Sequence, residues 1–177
     1  MPHNLELKAS VSSLKEAGAI ALTIGSRPAG QSRQVDTYYD IPNGRLKLRE
    51  INSQKGELIY YSRPNRLGGR YSRYLILPVK DIPAVKRSMS LMLKRTIEVR
   101  KTRRLFLYKD ARIHLDSVRG LGRFIEFEVL VNRGRPQAAR LLRFLRTIFM
   151  IRPQEIIGFS YSDLLLKKSR RSFPSRT

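Results

Sequence analysis

Six short stretches of this chain alternate polar and apolar residues with a period of two, and in most of them the polar face is nearly all of one chemical kind. Successive side chains of a β-strand point to opposite faces, so residues two apart share a face. In Leu5-Glu6-Leu7-Lys8 that rule pairs Glu6 with Lys8, and in Arg45-Leu46-Lys47-Leu48-Arg49 it lines up three cations. Between Ile59 and Arg63 it pairs Tyr61 with Arg63, and in Lys101-Thr102-Arg103 the two cations. His114 joins Asp116 in Ile113-His114-Leu115-Asp116, and Glu126 joins Glu128 in Ile125-Glu126-Phe127-Glu128. A half-buried sheet also alternates, with its charges in water, and for any single strand that is the simpler reading. Cations on three strands and carboxylates on two others are a different matter, because like charges set opposite one another destabilise a solvated sheet.

Closing such strands into a barrel with the charged faces inward removes the difficulty, provided that something compensates the charge. The inward candidates are Lys8, Arg45, Lys47, Arg49, Arg63, Lys101 and Arg103, seven cations, against Glu6, Asp116, Glu126 and Glu128, four acids, a surplus of three positive charges. Desolvated charges of one sign are costly unless paired. A polyphosphate would neutralise the surplus, and clustered carboxylates suit a hard cation such as Mg²⁺ or Mn²⁺ that bridges phosphate oxygens.

An inside-out barrel exposes its apolar faces, and amphipathic helices must cover them. Ser13 followed by Glu16 forms a capping box that opens a helix reaching Gly25, with Leu14, Ala17, Ala21, Leu22 and Ile24 as its stripe. A second helix is expected from Pro83, where Val85, Met89 and Met92 or Leu93 recur. A third begins near Pro136 with Leu141, Leu142, Leu145, Ile148 and Phe149 on one side, and Tyr161 to Leu166 reads as a short closing helix. Turns at Pro42-Asn43-Gly44, Pro64 to Gly69 and Gly120-Leu121-Gly122 favour antiparallel hairpins over parallel crossovers. From the residues alone the class is α+β with four to eight strands.

The chain has 177 residues, 41% of them hydrophobic, enough for one core, so a single domain is expected over residues 1–168. The end, KKSRRSFPSRT, is basic and without acids, and residues 169–177 are expected to form a mobile tail. Without Cys there is no disulfide framework and no thiolate chemistry. No apolar run suffices to cross a bilayer and no leader is evident, so a cytoplasmic protein without a membrane partner is the expectation. With 36 Lys and Arg against 14 Asp and Glu the formal charge is +22, which makes an anion the expected partner.

In order along the chain, Asn4-Leu5-Glu6-Leu7-Lys8, Gln34-Val35-Asp36-Thr37-Tyr38-Tyr39, Gly44-Arg45-Leu46-Lys47-Leu48-Arg49-Glu50 and Glu57-Leu58-Ile59-Tyr60-Tyr61-Ser62-Arg63-Pro64 are followed by Val99-Arg100-Lys101-Thr102-Arg103, Arg112 to Val118, Gly120 to Glu128 and Ser160 to Leu165. This ordered set resembles the CYTH superfamily, the triphosphate tunnel metalloenzymes, and is most like its class IV adenylate cyclase branch. The resemblance implies a closed eight-stranded antiparallel β-barrel, a tunnel, with helices packed on the outside. It implies metal binding by Glu6, Glu126 and Glu128, with Asp116 as a further ligand or a partner of one. A triphosphate clamp of Lys8, Arg45, Lys47, Arg49, Arg63, Lys101 and Arg103 follows as well, of which Lys8, Lys101 and Arg103 are expected to take part in catalysis. Asn4 stands where the family signature opens with Glu, one carboxylate fewer for metal.

Three activities fit. A class IV cyclase converts ATP to cyclic AMP and pyrophosphate, and a triphosphatase hydrolyses an organic or inorganic triphosphate. A non-catalytic polyanion- or RNA-binding module would use the basic charge alone, but carboxylates facing an anion repel it unless a metal intervenes, which favours an enzyme. Nucleic acid is therefore a secondary partner, and both a monomer and a homodimer are compatible with the sequence. His114 fits a structural or phosphate-donating residue better than a general base, and core packing better explains two of Tyr60, Tyr61 and Tyr74.

Overall fold

The computed structural model describes residues 3–62 and 70–172. Eight strands, β1 (His3–Ser10), β2 (Arg27–Tyr39), β3 (Arg45–Ile51), β4 (Lys55–Ser62), β5 (Arg70–Val79), β6 (Arg95–Tyr108), β7 (Ala111–Val118) and β8 (Gly122–Leu130), are joined with four α-helices. The helices are α1 (Leu14–Thr23), α2 (Ile82–Met92), α3 (Arg135–Ile148) and α4 (Tyr161–Ser172). The strands close into one antiparallel barrel in the order β1-β5-β4-β3-β2-β6-β7-β8, with β8 returning to β1. The expected class and the closed tunnel are both present. Two of the strands, β2 and β5, lie outside the six stretches that alternate visibly.

The barrel is built inside out, for the reason the alternation supplies. Leu5, Leu7 and Ala9 of β1, Ile113 and Leu115 of β7, and Ile125, Phe127 and Val129 of β8 form the main apolar core on the outer face of the sheet. Over them lie Ala17 and Ala21 of α1 and Ala138, Leu142 and Leu145 of α3. Phe127 meets Phe149 edge-on at 5.1 Å between ring centroids. Burial of each large apolar side chain stabilises by about 1.5–3 kcal/mol, so this outer layer carries the fold.

Local chemistry sets the helix boundaries. Ser13 caps α1 by accepting from the Glu16 amide, which is the Ser13 half of the expected capping box. Asp81 caps α2 by accepting from the Ala84 amide at 2.8 Å, and Pro83 sits in the first turn, where a missing N–H costs nothing. Helix α2 covers the other side of the barrel with Ile82 and Met89 against Tyr39 and Leu48, while Met92, expected in its stripe, is exposed. Helix α3 enters from Gly134, whose φ of 92° lies in the region that side chains avoid. Helix α4 runs through Ser172, past the boundary expected at residue 168, and residues 173–177 of the tail lie outside the described part.

Candidate active site in the barrel interior

Residues directly opposite one another in an antiparallel pair share a face, so the register maps the interior. Lys8 faces Glu126 and Glu6 faces Glu128 across β1 and β8. Asp36 faces Arg49 across β2 and β3. Arg103 faces Asp116 across β6 and β7, and His114 faces Glu126 across β7 and β8. Every described candidate residue lies on this inner surface. Arg63, expected in the clamp, lies outside the described residues.

Two clusters occupy the interior. In the first, Asp36 is 1% exposed and gathers three cations. Arg49 donates from Nε at 2.7 Å and from Nη2 at 3.0 Å, Lys47 from Nζ at 2.9 Å, and Lys101 from Nζ at 3.4 Å. Burial alone would raise the Asp36 pKa, but Arg49, Lys101 and Lys47 outweigh it and hold the carboxyl well below its usual range. Burial, with Arg49 alongside, pushes the Lys47 ammonium down to about 8 despite the pull of Asp36. Burial and the neighbouring Arg103 likewise push Lys101 well below the usual lysine range.

The second cluster is richer in acid. Arg103 grips Asp116 with both prongs of its guanidinium, Nε to Oδ1 at 2.7 Å and Nη2 to Oδ2 at 2.6 Å, and reaches Glu126 at 3.0 Å. Asp116 is fully buried and also accepts from the Tyr161 hydroxyl at 2.9 Å. Lys8 lies 3.4 Å from Glu126. His114 stands between Glu126 and Glu128, with Nδ1 4.0 Å from the first and Nε2 3.8 Å from the second. Burial, then Arg103, lowers its pKa, which keeps the imidazole neutral around pH 7. Glu128 accepts from Asn4 Nδ2 and from Arg112 at 3.3 Å, and Glu6 accepts from Ser72 Oγ at 2.5 Å.

The first turn of α4 closes one mouth of the tunnel. Tyr161 lies against Phe124, and its ring covers the Lys8 ammonium at 3.7 Å. Asp163 completes a capping pair with Ser160 and binds Arg45 at 2.9 Å, so it anchors the helix and holds one end of the clamp. Tyr61 of β4 faces inward beside Arg45 and Lys47, with ring centroids 5.8 and 5.6 Å from the two cations. Asp36, Ser72, Arg112 and Tyr161 are among the interior residues that sequence reasoning missed. Asp36 keeps the period-two spacing with Gln34 and Tyr38 that marks the other strands, a usable signal.

The donors available to a metal separate in the same way. Among the described residues, no three of the acids and imidazoles converge tightly enough to form a preformed cage. Asp116 has both oxygens engaged by Arg103 and Tyr161, and Glu126 is shared by Lys8 and Arg103. Glu6 and Glu128 form a carboxylate pair opposite one another, and beside them the Asn4 Oδ1 atom is buried without a hydrogen-bond partner. Two carboxylates and a carbonyl oxygen are hard donors, and Mg²⁺ commonly takes one or two carboxylates while phosphate oxygens and water complete its shell. The residues present fit such an ion.

A closed antiparallel barrel with buried cations facing carboxylates across its interior is the class this fold and site define, and comparison places it more closely. The model of the CYTH domain matches residues 2–151, and the chain belongs to that family. No curated protein matches the sequence. Among solved structures, the PH1012 protein of Pyrococcus horikoshii superposes with a TM-score of 0.80 at 19% identity, covering 91% of this chain and 98% of that one. The PH1819 protein of the same organism gives 0.73 at 22%, covering 93% and 99%. A candidate adenylate cyclase from Vibrio parahaemolyticus gives 0.74 at 19%, covering 92% and 97%. At these identities the likeness is one of fold.

Proposed function

We propose that this protein is a divalent-metal-dependent enzyme that acts on a triphosphate held in the tunnel, with the conversion of ATP to cyclic AMP and pyrophosphate as its first expected reaction. One observation carries the reading: Lys8, Lys47, Lys101 and Arg103 are each at most 8% exposed, yet they face the same barrel interior as the Glu6–Glu128 pair. A binding protein for an anion has no use for that carboxylate pair, whereas a metal-assisted phosphoryl transfer does. Glu6 and Glu128, with Asn4, would hold the ion, which when bound neutralises charge on phosphate oxygens and polarises them.

The chain's own residues supply the rest. Lys47, Arg49 and Lys101 bind phosphate oxygens, the planar Arg fork doing so through two parallel bonds. Arg103, oriented by Asp116, presents its cation where negative charge builds up, and such preorganised charge stabilises a transition state without reorganisation. Lys8, packed on Tyr161, contributes a second fixed charge. Confinement in the tunnel aligns the attacking oxygen with the leaving group, a 3′-hydroxyl in the cyclase and a water in a triphosphatase.

The test is product analysis of ATP and of tripolyphosphate incubated with Mg²⁺ or Mn²⁺, with a Glu128→Gln control. Cyclic AMP, lost in the control, is the expected result. Orthophosphate without cyclic AMP would make the enzyme a triphosphatase, and no turnover of either compound would overturn the enzymatic reading.

Lys47 makes the tunnel's affinity depend on pH. Its pKa in the folded protein, about 8, lies below the ordinary 10.5, so between these values the unfolded chain holds more protons and the ligand-free fold gains stability as pH rises. Phosphate binding goes the other way, because the ammonium it needs is lost over the same window. Tripolyphosphate affinity should therefore fall above about pH 8, with proton uptake on binding visible by calorimetry in two buffers of different ionisation heat. Lys47→Arg, which keeps its charge, should flatten the profile, and an unchanged profile would remove Lys47 from the clamp.

A further inference from the structure

The tunnel leaves most of the positive charge unexplained. Of the acids outside it, Glu50 is paired with Lys86, Glu98 with Arg95 and Arg100, Asp110 with Arg133, and Glu155 with Arg152, while Asp81 caps α2. Glu16 and Asp40 are exposed as well, and the net charge of +22 resides largely on the outer surface. Part of that charge lines one concave place. A groove of about 450 Å³ between α4 and β6 is lined by the half-buried Ile97 and Leu165, by Gly120, and by the exposed cations Arg100, Arg119 and Lys168. The three cations come from three separate elements: β6, the turn after β7, and α4. Arg100 is 55% exposed, and Arg95, on the same strand, is 50% exposed.

Two local features shape this groove for a ligand. The turn that carries Arg119 is fixed, since the Arg119 amide donates to the Arg100 carbonyl at 2.9 Å and Lys168 Nζ donates to the Gly120 carbonyl at 2.7 Å. The rim charges are thus set on a framed edge and not on a loose loop. Gly120, at φ 79°, adds no side chain, and a Cβ there would meet only Leu165, at 3.5 Å. Three lining cations with one acid, Glu98, leave a surplus of two positive charges beside Ile97 and Leu165.

We infer that this outer groove is a binding site for single-stranded nucleic acid, separate from the tunnel. A basic groove tracks a phosphodiester backbone, and the apolar side chains of Ile97 and Leu165 offer unpaired bases and riboses a non-polar surface away from water. Ile97 and Leu165 are half-buried while the cations are exposed, an arrangement that suits a strand lying in the groove better than a membrane surface pressed against it. Binding here is electrostatic at the rim, sequence-tolerant, and weakens as salt rises.

The experiment is fluorescence anisotropy with labelled uridine and thymidine oligonucleotides of about twelve nucleotides, spanning about 50–200 mM salt. Arg100→Ser/Arg119→Ser is compared with Arg140→Ser/Arg143→Ser, which removes the same charge from the exposed side of α3, and with Lys47→Gln in the tunnel. Thermal melting checks that each variant is folded. The groove variant should bind about tenfold more weakly at about 100 mM salt and lose about 0.7 from the salt slope per contact removed, while the other two bind within about twofold of the wild type. RNA against DNA affinity identifies the sugar the groove prefers. Equal losses in the groove and α3 variants would mean diffuse attraction and overturn the site, and loss confined to Lys47→Gln would assign the binding to the tunnel. Binding of duplex as tight as single strand, or of polyglutamate or anionic vesicles in place of oligonucleotide, would also overturn it.

Discussion

Asp36→Asn should destabilise the ligand-free protein by about 3–5 kcal/mol, the usual cost of leaving buried charge without its partner, and tripolyphosphate should restore much of the loss. The carboxylate is the common counter-ion of Lys47, Arg49 and Lys101, all within 3.4 Å. Asparagine keeps its shape but removes the charge, so three cations are left facing one another in a desolvated space. A phosphate entering the wild-type tunnel must be held beside an anion that already serves those cations, whereas in the variant it meets them unopposed. The ligand-induced rise in melting temperature at a given tripolyphosphate concentration should therefore be larger for the variant than for the wild type. For scale, a ligand at a hundred times its Kd stabilises by about 2.7 kcal/mol. If Asp36 is only scaffold, the variant will melt early and gain no more from the ligand than the wild type does. Turnover should fall even where binding improves, because the cations lose the fixed geometry that the carboxylate imposes.

Arg103→Ala should cost about 3–5 kcal/mol of stability and reduce turnover on the order of 100- to 1000-fold. Asp116, fully buried, would keep only the Tyr161 hydroxyl, and Glu126 would keep Lys8 and the distant His114. In the folded wild type, burial would raise the Asp116 pKa, but Arg103, followed by Lys101, holds it far below the ordinary carboxylate value. A group depressed in this way stabilises the fold above its unfolded pKa and loses that contribution as pH falls through the folded one. Denaturation midpoints between about pH 3 and pH 7 should accordingly show a flatter acid dependence in the variant than in the wild type. Arg103→Lys separates the two roles, since one ammonium preserves the charge but not the two-pronged grip on Asp116. It should recover much of the stability and little of the rate. Full activity in Arg103→Lys would show that only charge is needed there.

The strands that alternate cleanly, β1, β3, β4, β6, β7 and β8, were legible because an inverted barrel writes its inside and outside as charge and hydrophobicity. Strand β2 hides this contrast. Thr37, on its outer face, is polar yet fully buried, and Tyr38, on its inner face, is aromatic. Strand β5 hides it differently, because Tyr74, Leu75, Ile76, Leu77 and Val79 place apolar residues on both faces and Pro78 reads as a breaker. Missing β2 as a face also concealed Asp36, although its motif was in view. Tyr161 could not be placed from spacing, since its role depends on a helix returning from the far end of the chain to a mouth formed by Lys8, Lys101 and Asp116. Among the carboxylates, pattern alone could not tell that Asp116 and Glu126 are engaged by Arg103 while Glu6 and Glu128 stand opposite each other. That division follows from register and side-chain reach.

Because the apolar packing lies outside the sheet, the interior is governed by electroneutrality more than by fit. In an ordinary core a substitution is compensated by a neighbour that restores lost volume. Here Asp36 on β2 answers to lysines and an arginine on two other strands, so a lost charge on one wall can be offset by a charge of any shape on the wall opposite. Relatives of this chain should therefore drift in the size of their tunnel residues while holding the sum of their charges, and ligand preference can change without the outer helices having to repack.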